Sequence, residues 1–302
     1  MNELLDLWEK PTGVTYMIAG WNQWADAGSV SSGLPAYLIR RTRAKKIGAL
    51  KPAGFYLFQI PGTHHLLRPV VKLQDGHRTG MSERKNEVFH AQSGQGGIFI
   101  FLGTEPHYNE DRYADAFLDM AEELGVERIV ILGGVHGPVP YDKNREFSCV
   151  YSHSPMRDEL TGYAVRFSDY EGGSTIGTYL AHRAEMREIE VTVFYAMVPS
   201  YQFSGTSVVA EVMSMEEDYK AWYDLMRRIC YMSGFDLDLS DLSQRADAIT
   251  AAWDTQIEQL GIVSELGVRE YLETVDEDFT ETTFEPLSRA WEDALGDIFD
   301  DS

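Results

Sequence analysis

Four short segments gather the residue types that could do chemistry. The first, Gly20 to Gly28, holds Trp21, Trp24 and Asp26 in a polar and aromatic turn immediately before a helical pattern. The second sets Glu105 one residue before Pro106, where a partly desolvated carboxylate could act as a base or bind a hydroxyl. The third, Gly133 to Pro138, carries His136, whose imidazole could pair with Glu105 or Asp26 in an acid–base role. The fourth, Gly172 to Gly177, opens a helix with Ser174 and Thr175, whose hydroxyls and first amides could hold an anion. Each has a structural alternative: Asp26 as a helix cap beside two packing tryptophans, Glu105 as a cap on backbone amides, His136 as a hydrogen-bonded surface group, and Ser174 or Thr175 as an N-cap.

Other chemistries lack their signatures. The fourth segment has no P-loop lysine and follows Tyr170 and Glu171 instead of an apolar strand, so it is neither a Walker loop nor a dinucleotide fingerprint. No Gly-x-Ser-x-Gly elbow and no His-Glu-x-x-His occur. His64 and His65 are adjacent and cannot present a helical i, i+4 metal face. Cys149 and Cys230 stand far apart and read as buried, reduced thiols. No metal and no cofactor is predicted.

A parallel sheet with crossover helices would bring the four segments together. Val14–Ala19, Ile98–Leu102, Ile129–Leu132 and Val191–Val198 are β-rich runs, each followed by a turn and then by helical periodicity. Val30, Leu34, Tyr37 and Leu38 mark the first helix; Ala114, Phe117, Leu118, Ala121 and Leu124 mark the second, which Gly125 stops. Gly133–Pro138 reads as a turn too rich in glycine to be regular. A helix carrying Val208, Val209, Val212, Trp222, Leu225 and Ile229 follows the last strand, and Phe55–Ile60 and Val70–Leu73 read as a meander or edge strands. In open sheets of this kind ligands bind beyond the carboxyl ends of the strands.

After Asp236 only helices are expected: one stripe of Leu242, Ala246, Ile249, Trp253, Ile257 and Leu260, and another of Phe284, Leu287, Trp291, Leu295 and Ile298. The chain thus divides into an α/β domain at 1–235 and an acidic helical extension at 236–302, which packs within its own chain or on a partner subunit. From Asp236 onward 19 acids face only Arg245, Arg269 and Arg289, giving −16 of a total charge of −22. That charge argues against nucleic acid and anionic membrane as partners. The nearest basic cluster, Arg40, Arg41, Arg43, Lys45 and Lys46, reads as the end of a helix complementing its dipole. No window approaches the roughly 18 apolar residues of a membrane span, so a cytoplasmic location is expected.

Together Gly20-Trp21 through Asp26-Ala27-Gly28, Gly103-Thr104-Glu105-Pro106, Leu132-Gly133-Gly134 with Pro140, and Val198-Pro199-Ser200-Tyr201 resemble the PAC2 family, the proteasome assembly chaperone family. The resemblance spans residues 14 to 230, and the acidic tail resembles extensions of bacterial members. It implies a three-layer α/β/α fold with a mostly parallel sheet, similar to nucleoside phosphorylases and related hydrolases. It also implies homo- or hetero-oligomers and protein partners, without implying an activity. Relatives that dock on proteasomes through a hydrophobic-Tyr-any-residue tail differ from this chain, which ends Ile298-Phe299-Asp300-Asp301-Ser302. Two functions follow: a non-enzymatic assembly or interaction protein, or an enzyme or sensor for a small polar, nucleoside-like ligand at Asp26, Glu105, His136, Ser174 and Thr175.

Overall fold

The computed structural model describes residues 2–59, 67–93, 96–203, 211–261 and 267–285. The elements in chain order are β1 (Leu5–Leu7), β2 (Tyr16–Asn22), α1 (Gly33–Thr42), β3 (Lys45–Leu50), β4 (Val71–Gln74), β5 (His77–Met81), β6 (Glu87–Ser93) and β7 (Gly96–Thr104). There follow α2 (Glu110–Leu124), β8 (Arg128–Gly137), β9 (Phe147–Tyr151), α3 (Met156–Thr161), β10 (Arg166–Phe167), α4 (Ile176–Ala184), β11 (Glu190–Phe203), β12 (Glu211–Ser214), α5 (Tyr219–Ser233), α6 (Ser240–Gly261) and α7 (Val268–Glu277).

One ten-stranded sheet runs β1-β3-β6-β7-β2-β8-β11-β9-β10, with β12 paired to β11. Its four middle strands, β7, β2, β8 and β11, are parallel; the strands flanking them, β6 and β9, run antiparallel. The middle strands are apolar on both faces because helices cover both. Ile18, Val130, Leu132 and Phe194 face one core with Leu34 of α1 and Trp222 of α5. Met17, Ala19, Ile129, Ile131 and Val193 face the other with Phe117 of α2 and Leu180 of α4. This alternation of period two is what a parallel sheet buried between helix layers requires.

Several expectations are corrected. β8 does not end at Leu132: it stays paired with β11 out to Gly137, opposite Pro199. Its glycines answer crowding instead of a turn, since a Cβ at Gly134 would lie 2.0 Å from the Ala27 carbonyl oxygen and one at Gly133 2.4 Å from the Tyr195 ring. β11 likewise carries through Pro199-Ser200-Tyr201 to Phe203, and Val212 belongs to β12 instead of the following helix. Arg40 and Arg41 occupy the last turn of α1, where cations suit the dipole, but Lys45 and Lys46 begin β3. Phe55 is buried in an irregular segment, not a strand. Ile60, His64, His65, Val208, Val209, Leu287, Trp291, Leu295 and Ile298 lie outside the described residues.

The first C-terminal stripe packs on its own chain. Leu242, Ala246 and Trp253 of α6 are buried, and Trp253 stacks on Tyr141 at 5.8 Å and meets the Tyr201 ring edge-on at 5.6 Å. Phe284 stacks on Tyr163 at 6.0 Å. No described helix is long and apolar enough to cross a membrane. The β4–β5 hairpin stands apart as a separate two-stranded sheet. Its turn is Asp75-Gly76, both at positive φ (50° and 78°), the backbone that a two-residue hairpin loop demands.

Candidate functional site

A cavity of about 1010 Å³ opens at the carboxyl ends of β2, β8 and β11, at the upper limit of small-molecule pockets. Asp26, His136, Ser174 and Thr175 all line it. Trp21 and Glu105, also candidates from the sequence, do not. Trp21 is fully buried beneath α2, its ring 5.3 Å from both Phe101 and Phe117 and its Nε1 donating to the Tyr113 hydroxyl at 2.7 Å. Glu105 sits behind the wall as a brace. Its Oε2 accepts from the Trp24 amide (3.1 Å) and its Oε1 from the Ile176 amide (3.2 Å), so it ties the β2 exit to the start of α4.

Asp26 lines the cavity and ties down the turn in front of α1. Its Oδ1 accepts from the Ser31 and Ser32 amides (2.8 and 2.9 Å), and its Oδ2 accepts from the Ser32 hydroxyl (2.6 Å), which binds the turn to the approach of α1. It also bridges to Gly134 on β8, where the Gly134 amide donates to the Ala25 carbonyl at 2.9 Å. Burial is the largest influence on its carboxyl and raises its pKa above the usual 3.8, against the lowering effect of the serine donors. Thr175 is the N-cap of α4: its Oγ1 accepts from the Thr178 amide at 3.1 Å and shares a hydrogen bond with the Tyr195 hydroxyl. His136 and Ser174 are exposed at the rim, and the His136 side chain hydrogen-bonds to no described residue.

With Asp26 engaged by serines and Glu105 by amides, no hydrogen-bonded relay connects a nucleophile to a base among these groups. The α4 N-terminus, offered above as an anion site, already holds the Glu105 carboxylate on its Ile176 amide, so an added anion would be repelled.

The PAC2 family model matches residues 20–257. This chain belongs to the PAC2 family. Three solved structures share its fold: a PAC2 family protein from Streptomyces avermitilis (24% identity, 85% of this chain and 99% of that one, TM-score 0.67), a proteasome-assembly chaperone homologue from Mycobacterium tuberculosis (22%, 85% and 100%, 0.69), and a protein of unknown function from Corynebacterium glutamicum (16%, 91% and 96%, 0.73). No curated protein matches the chain.

In this PAC2 chain the cavity has walls that sequence reasoning passed over. Ser148 and Val150 come from β9, a short half-polar strand that gave no clear signal, while Tyr195 and Met197 come from within β11. Trp24 and Tyr170, 71% and 68% exposed, supply the aromatic surface. Period-two counting along β2 puts Trp21 on the core face of Met17 and Ala19, where Phe101 and Phe117 enclose its ring.

The cavity wall is anchored from below. Ser29 Oγ donates to the Glu216 carbonyl, and the Gly28 carbonyl accepts from the Asp218 amide and from Trp222 Nε1. Asp218 in turn forms an ion pair with Arg145 in which both side chains are fully buried, with Arg145 Nε donating to Oδ2 at 2.7 Å.

Proposed function

We propose that this chain is a non-enzymatic assembly or interaction protein of the cytoplasm that associates with a second copy of itself and with protein partners. The β4–β5 hairpin carries the reading. Both of its strands lie in solvent, and Val70, Val71, Leu73 and Met81 are exposed together. Such a cluster is unusual on a surface that stays free. Around it stand Arg68, Lys72, Arg78, Arg84 and Lys85 against only Asp75 and Glu83, on a chain of net charge −22. A second copy offers the complement, because its residues 236–302 bear the acidic excess. Membership of the PAC2 family and the likeness to a proteasome-assembly chaperone homologue support the same reading. Light scattering on the purified chain tests it. An oligomer that dissociates in high salt and in a Val71→Asp/Leu73→Asp variant is expected, and a wild-type monomer would sink the proposal.

The cavity favours a second reading, a sensor or enzyme for a small ligand, because it gathers Asp26, His136, Ser174 and Thr175 in one concave space. Thermal-shift measurements with small molecules test that reading separately from the oligomeric state.

A further inference from the structure

The lining of the cavity narrows the ligand class. Among its described lining residues there is no lysine and no arginine, the side chains that hold phosphates and carboxylates. Its formal charge is the Asp26 carboxylate, with the Glu105 carboxylate behind the wall, within a chain of net charge −22. Trp24 and Tyr170 stand largely exposed on the same cavity, and the electron-rich faces of indole and phenol attract cations. We propose that this cavity binds a small organic cation, an amine or quaternary ammonium, with Asp26 as its counter-charge and Trp24 and Tyr170 as its aromatic walls. The proposal rests on the second reading above and gives it a substrate class, which a phosphate-bearing ligand would not fit.

Two further observations point the same way. Asp26 Oδ1 is saturated by two amides, whereas Oδ2 accepts only the Ser32 hydroxyl and keeps acceptor capacity. Gln23 Nε2 is spent on Ser31 Oγ and the Leu132 carbonyl, so this lining side chain has no N–H left over for an anion. Burial also raises the Asp26 pKa, a cost that a bound cation would offset.

The test uses the full chain with choline and spermidine, and with adenosine and inorganic phosphate as contrasts, at ionic strength matched with sodium chloride. Choline and spermidine are expected to raise the melting temperature and to give saturable heats in calorimetry. Trp24→Leu and Tyr170→Leu change exposed side chains and so preserve the fold; each is expected to weaken choline binding by about fivefold or more. Choline binding that is unchanged in both variants would place the cation on the general acidic surface and overturn the proposal. Stabilisation by adenosine or phosphate but not by choline would also overturn it, while leaving the cavity a ligand site. Silence from all four probes would overturn both the proposal and the reading beneath it.

Discussion

Asp218→Asn should destabilise the protein far more than its near-identical shape suggests. The carboxylate accepts from Arg145 Nε at 2.7 Å and Nη2 at 3.3 Å and also caps α5 by accepting from the Ala221 amide at 3.0 Å. Asparagine keeps an oxygen for the cap but removes the charge, leaving a guanidinium with no exposure to water. Arg145 Nη1 retains the Pro140, Tyr141 and Lys143 carbonyls, and the Asp224 carboxylate still accepts from the Arg145 amide. Breaking a buried pair from one side costs about 3 to 5 kcal/mol. The surviving carbonyls argue for the lower half of that range, about 3 to 4 kcal/mol. At about 2 °C per kcal/mol for a fold of this size, the melting temperature should fall by about 6 to 8 °C. Urea unfolding read by circular dichroism measures the loss. Arg145→Met combined with Asp218→Asn should recover at least half of it, because no unpaired charge remains. A single-variant cost below about 1 kcal/mol would refute the reasoning, as would a double variant less stable than the single one.

Gly134→Ala should cost about 3 kcal/mol or more, because the added Cβ meets the Ala27 backbone oxygen at 2.0 Å; hydrogen exchange should quicken at the Asp26 turn, and an unchanged melting curve would contradict the crowding. Burial pushes the Cys149 and Cys230 thiols up to about 12, so near pH 8 their thiolates should be about a thousandfold scarcer than ordinary ones. Alkylation by iodoacetamide, followed by mass spectrometry, should therefore wait on unfolding, and prompt native-state labelling would refute this. For Asp26 the folded pKa is raised, so its contribution to stability is full below about pH 3.8 and is withdrawn as pH rises through the folded value. Asp26→Asn cannot ionise, so its stability relative to wild type, read from urea midpoints, should improve between about pH 4 and pH 7; a flat or opposite trend would count against the assigned cause.

The middle of the sheet was legible because strands buried on both faces are continuous apolar runs, as in Ile98–Leu102 and Ile129–Leu132. The flanks were not. β3, β6 and β9 mix polar with apolar residues, and their pairing depends on neighbours distant in sequence. Gly133-Gly134 misled because local rules treat paired glycines as a turn, whereas here they admit the Tyr195 ring and the Ala27 backbone, contacts that exist only once the sheet is assembled. Asp26 and His136, which follow β-rich runs, were placeable by the carboxyl-end rule, whereas Ser174 and Thr175 follow no legible strand and reach the cavity only through the N-terminus of α4. The brace made by Glu105 was not legible, since it joins two amides that the chain separates by about 150 residues.

The great sheet also has a property set by its two ends. It tapers to three residues at Leu5–Leu7 and to two at Arg166–Phe167. Strands that short offer an incoming chain almost no unpaired backbone to copy, which protects the most apolar part of the molecule from edge-to-edge polymerisation into fibres. At these two ends a second chain would find side chains to meet and little backbone to pair with.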